Sequence, residues 1–253
     1  MPPKPKQGSK SKIQELRDLI EYHNQKYYDE DAPEISDYEY DQLLRDLEAL
    51  EAEQPEFAEP GSPTQRVGGS AKREAGKLVR HEVPMLSLDD RFTKAEVLDF
   101  VSRMQRDLDN PTFVVERKID GLSVALRYRD GKFVQGFTRG DGITYGEDVT
   151  ENLRMIDFLP RTLREKIPYL EVRGEVYMDN EVFEEVNAQQ AAIGGKIFAN
   201  PRNCAAGTMR QLNPQVVAER QLSIFVFNLQ VVRGREFTFH SETLDWLEQQ
   251  GFP

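Results

Sequence analysis

Glu116-Arg117-Lys118-Ile119-Asp120-Gly121 lies inside the stretch Val114 to Asp148, and the rest of the chain is read outward from it. Phe113, Val114 and Val115 before it predict the end of a strand. Leu122 to Tyr128 after it alternates apolar and polar residues with β-branched content, which predicts a second strand. A lysine held between two buried strands, with an acid two residues away on each side, is costly to desolvate and is rarely built for stability alone. A surface lysine in a turn, paired with two acids, accounts for the bare pattern equally well. Asp130-Gly131 is a two-residue turn signal between Leu122–Tyr128 and Lys132–Phe137, so a hairpin is predicted. The second strand of that hairpin runs into Thr138-Arg139-Gly140-Asp141-Gly142 and then Gly146-Glu147-Asp148-Val149-Thr150-Glu151-Asn152.

Taken together, E-x-K-x-D-G, T-R-G-D-G and G-E-D-V-T-x-N resemble the nucleotidyltransferase domain of the NAD-dependent DNA ligases. The resemblance implies that Lys118 is the nucleophile that becomes adenylated. It also implies that Glu116, Asp120 and Arg139 surround the nucleotide.

Composition bounds the remaining options. With 253 residues, 30% charged and 38% apolar, the chain is long enough for one large or two smaller cores. No apolar run approaches the roughly 20 residues that span a bilayer, and no signal-peptide pattern opens the sequence, so no membrane partner is expected. A single cysteine, Cys204, excludes an internal disulfide and fits a reducing cytoplasm. With only three histidines it also argues against a zinc site. The net charge of −11 argues against duplex DNA being gripped by this chain alone, so weak or no DNA binding is expected.

That charge is uneven. Residues 1–12 carry Lys4, Lys6, Lys10 and Lys12 with no acid, and predict a disordered basic tail. Residues 13–60 carry 16 acids against three basic residues. Within them Ile13, Leu16, Ile20, His23 and Tyr27 form a helical stripe that Asp31-Ala32-Pro33 ends. Ser36 with Glu39 makes a capping box for a second helix, which is buried through Tyr40, Leu43, Leu44, Leu47 and Leu50 and runs up to Pro55. Asp37, Tyr40 and Asp41 share one face of its first turn. Acids favour helix N-termini and tyrosines fill helix seams, so this face has a purely structural explanation. The string Y-Y-x-x-D-A-P-E-I-S-D-x-E-Y-D nevertheless resembles the family's small N-terminal domain, which recognises the nicotinamide mononucleotide half of NAD. On that resemblance Tyr27, Tyr28, Asp37, Tyr40 and Asp41 contact the ligand. A cationic pyridinium suits aromatic faces and carboxylates.

A Pro- and Gly-rich linker, residues 55–76, holds Ser62-Pro63-Thr64-Gln65-Arg66-Val67-Gly68 and places a domain boundary near residues 60–75. His81-Glu82-Val83-Pro84-Met85-Leu86-Ser87-Leu88-Asp89 resembles a further family motif, and by that analogy Ser87 and Leu88 touch the adenosine end. Thr93 and Glu96 cap a helix with Val97, Val101, Met104 and Leu108 inward. Leu170 to Met178 predicts a strand carrying Arg173-Gly174-Glu175-Val176. Glu175 there forms either a cross-strand salt bridge or, by resemblance, a nucleotide contact. Phe198–Leu212 resembles F-x-N-P-R-N-x-A-A-G-S-L-R-Q-L, which makes Arg202 and Arg210 candidates for phosphate or DNA contact. Leu222 to Val232 predicts a strand whose Phe227 stands where the family carries an aromatic near the adenine. Ser241 to Gln250, closed by Gly251, predicts a last helix.

The resemblance runs through seven motifs from about residue 22 onward. It implies an α+β fold with residues 13–70 as a helical nicotinamide-mononucleotide-binding domain. Residues 71–253 follow as an ATP-grasp-like nucleotidyltransferase (adenylation) domain of antiparallel sheets and flanking helices. The family continues with a D-G-V-V-I-K-type strand and a further lysine motif, so the second domain is expected to be C-terminally incomplete. Loop Gly142–Gly146 is one residue longer than the usual G-x-x-G, which leaves the path after Arg139 open. The implied activity is NAD-dependent DNA ligation in replication and repair. Lys118 would take AMP from NAD with Mg²⁺, and a full-length monomer would pass it to nicked DNA. The alternative is a non-catalytic NAD-binding module, because the downstream lysines are absent.

Overall fold

The computed structural model describes residues 7–29, 34–57, 62–65, 77–86, 88, 91–195 and 197–253. Helices α1 (Gln7–Asn24) and α2 (Asp37–Glu53) pack through Ile13, Ile20 and Leu47, with Leu16, Leu43, Leu44 and Leu50 around them. The predicted stripe therefore forms the seam. The Ser36 hydroxyl accepts from the Glu39 N–H, and the Glu39 carboxylate accepts from the Ser36 N–H, which is the capping box read from sequence. Helix α1 begins at Gln7, six residues before the predicted start, and residues 1–6 of the predicted basic tail lie outside the described residues. Residues 7–24 hold no proline to stop it, and the Lys, Gln and Ser of its first turns tolerate a helix although Gly8 disfavours one. The Asp31-Ala32-Pro33 break lies outside the described residues. Ahead of it the helix widens into a π-helical turn, Gln25–Asp29, which contains Tyr27.

A buried polar hub ties the following segment to this helical pair. Glu51 accepts from Arg17 at 2.7 Å, from Ser62 at 2.6 Å and from Thr64 at 2.6 Å. Burial pushes the Glu51 carboxyl up, but those hydrogen bonds outweigh it and hold it below the usual carboxylate range. The native pKa is thus depressed, and the stabilisation is present above the ordinary Glu pKa and lost as pH falls through the native one. Glu51→Gln is expected to cost about 2 kcal/mol near neutral pH, because it leaves the Arg17 guanidinium beside a neutral amide. Urea unfolding at neutral and acid pH checks this: the gap between variant and parent should close in acid.

The second unit is built on a four-stranded antiparallel sheet in the order β3-β2-β5-β6, with β2 Leu122–Arg129, β3 Lys132–Thr138, β5 Tyr169–Tyr177 and β6 Ser223–Arg233. The β2–β3 hairpin turns at Asp130 (φ 48°) and Gly131 (φ 73°), the left-handed pair that a two-residue turn demands. Alternation sends Val124, Leu126, Tyr128, Leu170, Val172 and Val176 to one face. That core is closed by α4 (Thr150–Leu153), α5 (Asn180–Ala192), α6 (Pro201–Met209), α7 (Gln215–Glu219) and α8 (His240–Gln250), the last stopped by Gly251 at φ 98°. Ser123, Ala125, Arg127, Glu171, Arg173 and Glu175 take the opposite face. A two-stranded sheet, β1 (Leu78–Arg80) with β4 (Tyr145–Glu147), lies over part of it through Val79, Met85 and Phe137.

Two expectations fail. Residues 111–120 form no strand, and Val115 is 94% exposed. This stretch pairs with neither edge strand of the sheet, β3 nor β6, and so has no ladder partner. Helix α3 (Lys94–Asp107) has the predicted Thr93–Glu96 capping box but carries no buried residue. Val97 and Leu108, expected inward, are exposed, and Val101 and Met104 are half-buried. Periodicity set the stripe on α3 but could not say whether another element covers it. The structure thus has the expected α+β architecture, helical pair first and antiparallel sheets after.

Candidate active site

An open cleft of about 1300 Å³ separates α2 from the polar face of the sheet. Asp41, Leu44, Arg45 and Glu48 line it from α2. Ser123, Arg173 and Glu175 form its floor, and Glu116, Lys118 and Asp120 come from the irregular stretch before β2. Arg139, Arg202, Phe227 and exposed Leu88 complete the set of predicted residues found there.

Glu175 stands opposite Ser123 in the β2–β5 register and accepts its hydroxyl hydrogen bond at 2.7 Å. Burial pushes the Glu175 carboxyl above the usual range. The Ser123 hydrogen bond and the cations Arg202, Arg139 and Lys118 pull against that without reversing it. Three cationic side chains and one desolvated carboxylate therefore converge here. Asp120 is bridged by Arg202 at 3.1 Å, and the Arg202 guanidinium lies 4.9 Å from the centre of the Tyr27 ring. That contact joins the helical pair to the sheet unit at the site itself. Glu116 faces His240 at 3.5 Å.

The loop that carries Arg139 is fixed by its backbone. The Arg139 N–H donates to the Ser123 carbonyl at 2.9 Å, and the Arg139 carbonyl accepts from Gly142 N–H at 2.9 Å and from His81 Nε2 at 2.8 Å. Asp141 gathers the N–H groups of Ile143, Thr144 and Tyr145 on one oxygen, at 2.9, 2.7 and 3.0 Å. Burial raises the Asp141 carboxyl, and those three donors more than offset it. The extra residue of Gly142–Gly146 is absorbed in this turn. Gly140 sits at φ +54°, where an added Cβ would meet the Tyr145 carbonyl at 2.1 Å. Gly140→Ala is expected to cost about 1–3 kcal/mol and to displace Arg139. Thermal unfolding and nucleotide affinity should fall together, and an unchanged melting temperature would contradict this loop geometry.

Not every expectation converges on the cleft. Lys118 is not held between buried strands: it is exposed, because residues 111–120 have no partner strand to bury it. Arg210 lies away from the cleft and bridges Glu147 at 3.6 Å. Tyr40 donates to Asn24 at 2.7 Å and packs in the α1–α2 seam, its structural alternative, rather than lining the cleft. Ser87 and the side chains of Tyr28 and Asp37 lie outside the described residues. Sequence reading missed Arg45, which stacks on Phe92 at 3.9 Å, and also His240, Asn228 and Arg173. Only Arg173 had a legible signal, two residues before Glu175 on the same strand face. Asn228 reaches the cleft through bulges in β6, where Phe227 and Gln230 oppose no residue of β5. Among the described residues no helix is long and apolar enough to cross a membrane.

Residues 6–68 match the family described as DNA ligase-like, N-terminal NAD+-binding domain, and residues 75–253 match the NAD-dependent DNA ligase adenylation domain. Curated relatives include the DNA ligase of Clostridium kluyveri, 53% identical over 243 residues, with 96% of this chain and 36% of that protein covered. The DNA ligase of Acetivibrio thermocellus is 52% identical over 242 residues, covering 95% of this chain and 36% of that protein. That of Anoxybacillus flavithermus is 50% identical over 240 residues, covering 95% and 35%. The chain thus spans about a third of the length of these relatives. Both matched regions face one cleft, with Lys118 and Glu175 on one wall and α2 on the other, and the chain belongs to the NAD-dependent DNA ligase family.

Proposed function

We propose that the cleft binds NAD between two domains, residues 13–70 holding the nicotinamide half and residues 71–253 the adenylate half. In it Lys118 accepts AMP. The observation that carries this reading is the meeting of Lys118, Arg139, Arg202 and Glu175 opposite the acidic helix α2 in one cleft. The Lys118 amine attacks the α-phosphorus, a P–N bond forms, and the P–O bond to nicotinamide mononucleotide breaks. Arg139 and Arg202 stand where charge grows on the phosphate oxygens, and Glu175 accepts from a ribose hydroxyl. An ammonium is no nucleophile, so Lys118 reacts as the neutral amine.

The described residues contain no cluster of three metal-ligating side chains. Phosphate oxygens of the ligand and water would then hold Mg²⁺, an oxygen-rich, sparsely protein-bound donor set that this ion prefers. When bound, Mg²⁺ supplies charge neutralisation on the phosphates. In the full-length protein, a cytoplasmic monomer serving replication and repair, AMP then passes to the 5′-phosphate of nicked DNA, and the 3′-hydroxyl seals the nick. Exposure of Lys118 favours the second reading, an NAD-binding module without chemistry, and a mass gain of one AMP on incubation with NAD and Mg²⁺ separates the two.

The division of NAD between the domains has its own test. Asp41→Asn removes a carboxylate from the α2 wall and is expected to weaken NAD binding by about tenfold while leaving AMP binding unchanged. Calorimetry with both ligands reads this, and equal losses for the two would mean that α2 does not face the nicotinamide.

A further inference from the structure

His81 is 7% exposed, and no step of the reaction uses it. Its Nε2 lies 2.8 Å from the Arg139 carbonyl. A carbonyl only accepts, so Nε2 carries the proton and donates, and Nδ1 is the bare acceptor. That Nδ1 is shielded from solvent and has no hydrogen-bond partner among the described residues. Burial pushes the His81 pKa below its ordinary value, which favours this neutral ring. A buried imidazole with one nitrogen unmet is costlier than an apolar ring of the same size. Among the described residues, what it adds to packing on Phe137, 5.3 Å away between ring centres, is the bond to Arg139.

That bond matters because of where Arg139 stands. Arg139 lines the cleft, and its N–H is already held by the Ser123 carbonyl at 2.9 Å. A residue has two soft backbone torsions, and a bond to the N–H restrains one while a bond to the carbonyl restrains the other. The Gly142 N–H also reaches the Arg139 carbonyl, but it belongs to the same turn and would move with it. Segment 81–86 ties the loop from outside at three points. The His81 N–H donates to the Thr144 carbonyl at 3.0 Å, the Met85 N–H donates to the Gly142 carbonyl at 2.7 Å, and the His81 ring donates to Arg139. The first two are backbone bonds that any residue except proline can make. Of the three, only the ring bond depends on a side chain. It is also the one that reaches Arg139, whose positive charge acts on Glu175.

We propose that His81 is a positioning residue, which holds the Arg139 guanidinium toward the phosphate of the bound nucleotide by fixing the Arg139 carbonyl. The proposal rests on the reading of the cleft as the NAD site. A loss of affinity in one variant would not separate positioning from folding, so the test varies ligand and side chain together. AMP and adenosine, which lacks the phosphate, are titrated by calorimetry against the parent chain, His81→Phe and His81→Gln. Phenylalanine keeps the ring and removes the donor, whereas glutamine offers an amide N–H in place of Nε2–H. His81→Phe is expected to bind AMP about 10-fold more weakly than the parent, and adenosine within about twofold of it. His81→Gln should bind AMP within about threefold of the parent. Added to Arg139→Met, His81→Phe should cost no more than about twofold for AMP, because the guanidinium it positions is gone. Equal losses for AMP and adenosine, unchanged AMP affinity in His81→Phe, or no rescue by glutamine would each overturn the inference. So would an undiminished further loss in the Arg139→Met background. If neither His81 variant folds, nuclear magnetic resonance of the parent's His81 ring decides. A proton on Nε2 whose exchange is slowed by AMP and not by adenosine supports the inference. A bare Nε2, or a proton that responds to the two ligands alike, overturns it. Failure of the parent to bind AMP at all would instead overturn the nucleotide reading of the cleft.

Discussion

Replacing Lys118 by alanine is expected to abolish the gain of one AMP when a polypeptide extended to the length of its relatives is incubated with NAD and Mg²⁺. No other lysine is described on the cleft wall, and the P–N bond needs a nitrogen nucleophile placed against the α-phosphorus. Lys118→Arg should fail as completely. A guanidinium keeps the positive charge and the reach but stays protonated at any working pH. The pair separates nucleophile from counter-charge, because a merely electrostatic Lys118 would be largely rescued by arginine. NAD affinity should change far less than the rate, since Glu175, Arg139, Arg202 and the α2 wall remain. Intact mass and calorimetry on the same preparations read the two quantities. AMP still attached at parental rate in Lys118→Ala would end the assignment.

Glu175→Gln is expected to move stability and reaction in opposite directions. Burial raises the Glu175 carboxyl, so folding favours its protonated form. For an acid with a raised native pKa, stability is highest below the ordinary Glu range and falls as pH rises through the native value. Glutamine removes that penalty and still faces Ser123. The variant should be more stable at neutral pH by about 1 kcal/mol, roughly 2–4 °C in melting temperature, with the difference vanishing in acid. AMP transfer should drop by about 10- to 100-fold, because a neutral amide accepts from a ribose hydroxyl less strongly than a carboxylate. A variant that loses both stability and activity would show that Glu175 serves the fold.

Local chemistry made much of this molecule legible in its sequence. Asp130-Gly131, the Ser36–Glu39 and Thr93–Glu96 boxes and the alternation of Leu122–Tyr128 each fix structure over a few residues, and each is found where predicted. Misreadings occurred where the answer lies with a distant partner. Val114 and Val115 have strand character but no neighbouring strand, and α3 has a stripe that is only partly covered, so none of its residues is buried. Site residues divide the same way. Glu175 and Arg139 are brought to the cleft by strand register and a tight turn, both short-range features. Arg210 and Tyr40 were named with equal reason, yet Glu147 and Asn24 engage them. Asn228 was invisible, because a bulge depends on the partner strand as much as on its own.

The central claim, that Lys118 takes AMP from NAD held in the cleft between α2 and the sheet, is tested most directly by locating the attached group. The extended polypeptide is incubated with NAD and Mg²⁺, digested under conditions that preserve a phosphoramide, and its peptides are sequenced by mass spectrometry. One AMP on the peptide containing Lys118, with release of one nicotinamide mononucleotide, is the predicted result. AMP on any other residue, or none attached while NAD is bound, would contradict the account.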